Sequence, residues 1–308
     1  MRAMGEGAAT RTIEANGLSF EVDEYPAAGG GTERLALCLH GFPESKYSWR
    51  FQGPLLARLG WRVWAPNQRG YGASSRPKGV SAYDIDHLVA DVEALIAASG
   101  ARETMLVAHD WGAIVAWHCA MRKIRTLTRL VIMNVPHPVR FMEEIAVNKT
   151  QRRKSWYVAF FQLPWIPEWA LGRRRAQGIA DAFYNMAVDK SRFPAEVLEH
   201  YRANALIPGA LTAMINWYRA ARKAGRAKMA PAQNRVGVPT LVVWGEEDTA
   251  LEKSLVAGTE RFVDDLTVRY LPGVSHWVQQ EAPETVNAML EAWLAGGPVP
   301  EAAALKSP

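Results

Sequence analysis

Apolar residues along the chain fall into short runs that stop at glycine or turn residues, and these runs alternate with stretches whose apolar positions recur every three or four residues. Arg34 to Leu39, Arg62 to Pro66, Thr104 to Ala108 and Leu127 to Met133 read as buried strands. Between them, Asp84 to Ser99 reads as a helix: Leu88, Val92, Leu95 and Ile96 share a face, and Gly100 supplies the C-terminal stop. Ahead of these, Arg11 to Tyr25 has the look of an antiparallel hairpin turned at Asn16 and Gly17. The alternation predicts an α/β fold in which helices wrap a parallel sheet.

The rhythm breaks after residue 136. From about 137 to 234 the chain is rich in Trp, Tyr, Phe and Arg at helical spacing and offers no convincing buried strand. The strand pattern resumes at Val238 to Trp244 and Leu266 to Leu271, followed by a helix around Glu284 to Leu294. The expected organisation is a core domain of residues 1–136 and 235–308, interrupted by a helical cap of residues 137–234. Such insertions are tolerated where both ends leave the core at neighbouring surface points, and a lid over strand ends encloses a dry pocket. The tail from Gly296 to Pro308 is small and proline-containing, and is expected to fray.

Composition narrows the function classes. With 49% hydrophobic and 22% charged residues the chain is ordinary globular protein. No apolar run approaches the roughly 20 residues of a membrane span, and Met1 to Gly17 lacks the order of a signal peptide, so a cytoplasmic location is expected. Cys38 sits in a strand pattern and Cys119 in a helix pattern, which suits small buried hydrophobes better than a disulfide. The net charge of +5 raises nucleic acid as a partner. Its cations, however, gather in short clusters at Arg152 to Lys154, Arg173 to Arg175 and Arg222 to Lys228, without a nucleic-acid motif. They read as solvated helix faces, leaving room only for a weak anionic partner or membrane surface.

The sharpest motif is Ala108-His109-Asp110-Trp111-Gly112, set between a strand and the helical pattern Ala113 to Ala120. Small residues two positions either side of the acid suit a tight strand-to-helix turn, the nucleophile elbow, with Asp where Ser or Cys usually stands. Asp110 could also simply cap the helix.

His40-Gly41-Phe42-Pro43-Glu44 follows the first buried strand, Arg69-Gly70-Tyr71-Gly72-Ala73-Ser74 follows the next, and the aspartate elbow comes third. In that order, and from about Leu18 to Ala295, the chain resembles the epoxide hydrolases of the α/β-hydrolase superfamily. The resemblance implies an α/β-hydrolase fold, a mostly parallel eight-stranded sheet with helices on both faces and an inserted helical cap. It also implies conversion of an epoxide to a vicinal diol without cofactor or metal. Two departures are Ala108, where such elbows more often have Gly but which is still small, and Asn67, where many relatives have Asp, in a loop read as structural rather than catalytic.

An aspartate nucleophile makes chemical sense, because a carboxylate is already charged at neutral pH and needs no base for attack on an sp³ carbon. The alkyl ester so formed must then be hydrolysed through an oxyanion, whose N–H donors the resemblance places at Phe42 and Trp111. Of seven histidines, only His276, in Pro272-Gly273-Val274-Ser275-His276-Trp277, follows the last strand pattern, where this fold carries its base. His40 is assigned to the oxyanion loop, and His87, His109, His118, His137 and His200 to packing or surface. Asp248, closing Trp244-Gly245-Glu246-Glu247-Asp248, can orient the imidazole, with Glu246 and Glu247 as alternatives. Some relatives take this acid from the strand before the lid, where this chain has the uncharged Asn134.

Opening an epoxide also needs a proton donor opposite the nucleophile, and tyrosine donates while staying neutral. Tyr157, within Ser155 to Pro164, and Tyr218, within Asn216-Trp217-Tyr218-Arg219, resemble the two tyrosine motifs of epoxide hydrolases. His40, Pro43, Trp111, Trp156, Phe160, Met186, Met214 and Trp277 are the expected substrate-binding residues, with Trp165 and Leu206 as further shapers of the lid. The expected partners are an apolar epoxide and water; a homodimer is left open. A haloalkane dehalogenase shares the aspartate chemistry, but in that family a residue with a side-chain donor tends to stand where this chain has Phe42. A binding protein that kept the fold and lost turnover is the alternative from another class.

Overall fold

The computed structural model of the chain describes residues 7–124 and 126–305. Among them, β1 (Ala9–Ala15), β2 (Leu18–Tyr25), β3 (Arg34–Leu39), β4 (Arg62–Pro66), β5 (Glu103–His109), β6 (Leu127–Met133), β7 (Thr240–Gly245) and β8 (Leu266–Leu271) form one sheet. Its spatial order is β1-β2-β4-β3-β5-β6-β7-β8. β1 pairs antiparallel with β2, and β2 with β4; the remaining neighbours run parallel. Asn16 and Gly17 both take positive φ in the two-residue turn of the β1–β2 hairpin, as their residue types forecast.

Strands β3, β5 and β7 are buried almost throughout because helices cover both faces of the sheet. Leu35, Leu37, Leu39, Leu106 and Ala108 face one apolar core, shared with α2 (Ile85–Ser99) and α3 (Asp110–Met121), while Ala36, Cys38, Met105 and Val107 face the other, with α1 (Gln52–Arg58) beneath them. Alternate residues of each strand thus serve opposite layers. Both cysteines are buried and unpaired.

Between β6 and β7 the described chain is helical and contributes no strand to the sheet. It comprises α4 (Pro138–Val147), α5 (Lys149–Lys154), α6 (Trp156–Phe160), α7 (Ile166–Met186), α8 (Ala195–Leu206) and α9 (Ala210–Met229). After β8 come α10 (Val278–Glu281) and α11 (Pro283–Leu294). α7 is broken in its middle: Arg173 is extended, and Arg174, Arg175 and Ala176 all take left-handed φ near +55° (51°, 58° and 56°). The Arg202 guanidinium on α8 donates to the carbonyls of Arg175, at 2.7 Å, and Arg174, at 3.4 Å, and so fastens the joint.

Candidate active site

β5 gives way to α3 without an intervening loop, and the junction residue is Asp110 at φ 47°. A side chain other than glycine pays about 1 kcal/mol or more to sit in that region, so the surroundings must enforce it. Glycine makes the enforcement feasible on two sides. A Cβ on Gly112 would overlap the carbonyl oxygens of Leu39 and His40, and one on Gly41 would overlap the Asp110 side chain. The carboxylate is thereby held off the sheet's edge, between the β3 loop and the loop after β8.

Phe42 N–H donates to Asp110 Oδ1 at 2.7 Å, and Asp110 Oδ2 lies 3.6 Å from His276 Nε2. Burial opposes ionisation of Asp110, but His276, the neighbouring His109 and the Phe42 N–H together hold its carboxyl below the usual range. The Trp111 N–H stands at the head of α3, and among the described residues no hydrogen bond from it to that carboxylate is present.

His276 Nδ1 lies 2.6 Å from Asp248 Oδ2. Burial disfavours the imidazolium, yet Asp248 and Asp110 on its two sides outweigh that and push its pKa up to about 10. Asp248 is itself anchored: Oδ1 accepts from the N–H groups of Ala250 and Leu251, at 2.7 and 2.9 Å, and Oδ2 accepts from Asn134 Nδ2 at 2.8 Å. Asn134, at the end of β6, therefore serves the acid rather than replacing it. Glu246 pairs with Lys253 and Glu247 is exposed, so the neighbouring carboxylates point elsewhere.

A second buried chain of hydrogen bonds runs beneath the first. Glu44 Oε2 accepts from Gly41 N–H at 2.9 Å and from His109 Nδ1 at 2.7 Å, and its Oε1 accepts from Gln279 and Gln280, both at 2.8 Å. His109 Nε2 donates to the His276 carbonyl at 2.8 Å. Burial penalises the Glu44 charge, but His109 and these donors hold its carboxyl below the usual range. The sequence had offered His109 only as a packing or surface residue; the structure makes it the strut between the β3 loop and the His276 loop. That link joins residues 65 positions apart and left no local trace.

Above the carboxylate lies a cavity of about 330 Å³ lined by Asp110, His276, Tyr157 and Tyr218 together with mostly apolar side chains. Tyr157 comes from α6 and Tyr218 from α9, with their rings 6.0 Å apart and edge-on. Burial and the nearby Asp110 charge push both phenol pKa values up, so both hydroxyls stay protonated. Pro43, Trp156, Phe160, Met186 and Trp277 line the cavity, as expected from sequence, and so does Phe42.

Five expected pocket residues do not. His40 is buried behind the wall, its Nδ1 donating to Gly41 C=O and its Nε2 accepting from Gln68 N–H, which fixes the loop that carries Phe42. Trp111 is buried edge-on between Trp217 and Tyr218, at 5.7 and 5.0 Å, so it supports a tyrosine rather than the cavity. Met214 is fully buried on the core side of α9, and Trp165 and Leu206 are exposed on the outside. Helical spacing marked the region as helical but not which side chains turn inward. Conversely, Lys154, Phe161, Leu171, Ala182, Thr249 and Ala250 line the cavity and were missed. Thr249 and Ala250 directly follow Asp248 and could have been inferred from it; Leu171 and Ala182 carry no motif.

The sheet order and the elbow define an α/β hydrolase, and the model of that fold family matches residues 37–283. The AB hydrolase superfamily protein YfhM of Bacillus subtilis is 36% identical over 94% of this chain and 99% of its own length. Epoxide hydrolase 2 of Caenorhabditis elegans is 36% identical over 89% of this chain and 76% of that one. The crystal structure of Bacillus megaterium epoxide hydrolase in complex with an inhibitor matches with a TM-score of 0.84 at 28% identity, covering 92% of this chain and 100% of that one. The chain belongs to the epoxide hydrolase family of the α/β-hydrolase fold.

Proposed function

We propose that this chain hydrolyses an apolar epoxide to a vicinal diol through an alkyl ester on Asp110, with residues 137–234 serving as the cap. The observation that carries the reading is one cavity lined by Asp110, His276 and the two tyrosines, Tyr157 and Tyr218. The ionised Asp110 attacks a ring carbon and the C–O bond breaks; the departing oxygen takes a proton from Tyr157 or Tyr218, which are neutral donors. The tyrosine recovers its proton from the His276 imidazolium. Ester formation has just removed the Asp110 charge that favoured that imidazolium, so the transfer runs downhill when a base is next required.

Neutral His276, oriented by Asp248, then takes a proton from water, and the hydroxide adds to the Asp110 carbonyl carbon. Phe42 N–H, already 2.7 Å from Oδ1, and the free Trp111 N–H receive the oxyanion. Collapse expels the diol alkoxide, which takes the proton of the new carboxylic acid, so the cycle closes on a carboxylate and an imidazolium. Two tyrosines lining the cavity with the carboxylate favour a leaving oxygen, which must be protonated, over a leaving halide, which need not be. The test is His276→Gln: one epoxide equivalent should remain bound to the protein as a mass increase on the Asp110 peptide. A single turnover of the wild type in heavy-oxygen water should label Asp110 and leave the diol unlabelled. A freely turning-over His276→Gln enzyme, or label found only in the diol, overturns the reading.

A further inference from the structure

The aromatic lining of the cavity continues outward onto the surface. Trp156 lines the cavity yet is 65% exposed; Trp165 is 81% and Trp169 65% exposed, with Leu163 and Ile166 exposed beside them. This is one tight piece of backbone: Leu163 N–H bonds to the Phe160 carbonyl, Ile166 N–H to that of Pro164, and Trp169 N–H to that of Trp165. Trp165 holds its position at φ 60°, a conformation a bulky side chain adopts only against resistance. The fold thus strains its backbone and leaves a large indole in water, where an isolated protein gains nothing from it.

Cations outnumber acids along this stretch: residues 149–175 contain seven Lys and Arg side chains and one acidic residue, Glu168, which is engaged by both ends of the Arg219 fork, while from outside the stretch Glu199 pairs with Arg175 and Glu252 with Lys154. Arg152, Arg153, Arg173, Arg174 and Arg175 are exposed, and the Arg173 guanidinium sits 5.1 Å from the Trp169 ring centroid. Indoles ringed by cations settle at the boundary between lipid headgroups and acyl chains, and the cations are drawn to anionic headgroups. A second copy docked face to face would set these cations against their own images. Among the described residues no helix is long and apolar enough to cross a membrane, so any association is peripheral.

We propose that the face formed by Trp165, Ile166 and Trp169, with its arginines, docks the cap onto an anionic bilayer surface, bringing the Trp156 rim of the cavity against the lipid in which an apolar substrate dissolves. The substrate clause rests on the function proposed above, whereas binding itself is read without turnover. The test is co-sedimentation with vesicles of phosphatidylcholine containing about 30% phosphatidylglycerol, against vesicles of phosphatidylcholine alone. The wild type should bind the anionic vesicles, release in high salt, and bind the neutral ones more than about tenfold more weakly. Trp165→Ser with Trp169→Ser, neither residue lining the cavity, should lose anionic binding while keeping wild-type circular dichroism. Should that pair misfold, Arg173→Glu, whose guanidinium stands against the Trp169 ring, reads the same surface through its charge and should weaken binding too. Wild-type protein that stays in the supernatant, or folded variants that bind as well as the wild type, would overturn the proposal. So would a lipid-free dimer by light scattering that the tryptophan pair dissolves, since it would give the face to a second copy.

Discussion

The His276 pKa of about 10 depends on two carboxylates, and replacing Asp110 by Asn removes one of them with little change of shape. At 3.6 Å and an effective dielectric constant of about 20, the Asp110 charge favours the imidazolium by roughly 4–5 kcal/mol. Since 1.36 kcal/mol corresponds to one pKa unit, the substitution should bring the His276 pKa down by about three, to near 7. Nitrogen-15 histidine NMR on wild type and Asp110→Asn would follow the titration directly. Stability must move in the same sense. A histidine with a raised folded pKa contributes its full stabilisation below its unfolded value, and loses it as pH climbs through the folded value. The wild type should therefore lose this contribution progressively from about pH 6.5 upward, with the last of it gone by about pH 10, whereas Asp110→Asn should have little left to lose above neutrality. A variant histidine that still titrates above pH 9 would refute the argument, and with it the claim that esterification converts His276 from acid to base.

Tyr157→Phe with Tyr218→Phe should slow epoxide opening by at least about 100-fold in pre-steady-state kinetics while leaving ester hydrolysis nearly unchanged, and each single change should hurt less because one donor remains. Glu44→Gln should lower stability by about 2–4 kcal/mol in urea unfolding, because an amide NH₂ must then face N–H donors that the carboxylate now accepts from on both oxygens. Gly112→Ala should cost at least about 2 kcal/mol by thermal melting, since its methyl meets the rigid backbone of β3 rather than a side chain that can swing aside. An alanine variant as stable as the wild type would mean that the elbow has room to spare.

Much of the core was legible because strands buried on both faces must be largely apolar, as β3 and β4 are, and β3, β4, β6 and the half-buried edge strand β8 lie where the pattern put them, residue for residue. β5 extends one residue further at each end, and β7 starts two residues late, because Pro239 has no N–H to give the ladder and the strand begins only after it. The elbow was legible for a steric reason: few residues fit around a left-handed aspartate, so the chain must spell small ones. Which side of a helix turns inward was not. Met214 and Tyr218 are four positions apart on α9, yet one packs into the core and the other lines the cavity. The broken middle of α7 was equally hidden: Gly172 stands directly before it, but the residues that take left-handed φ, Arg174 to Ala176, include neither glycine nor asparagine.

The joint in α7 separates two walls of the same chamber: Leu171 precedes it, and Ala182 and Met186 follow it. A straight rod would fix the spacing of those walls once its own sequence was chosen. An articulated one hands that choice to a bracket outside the chamber, the arginine at position 202, which Glu199 steadies from one turn earlier on α8. Chamber width can thus be retuned from α8 without altering a wall residue or the reacting groups, so a change of guest need not disturb the chemistry performed on it.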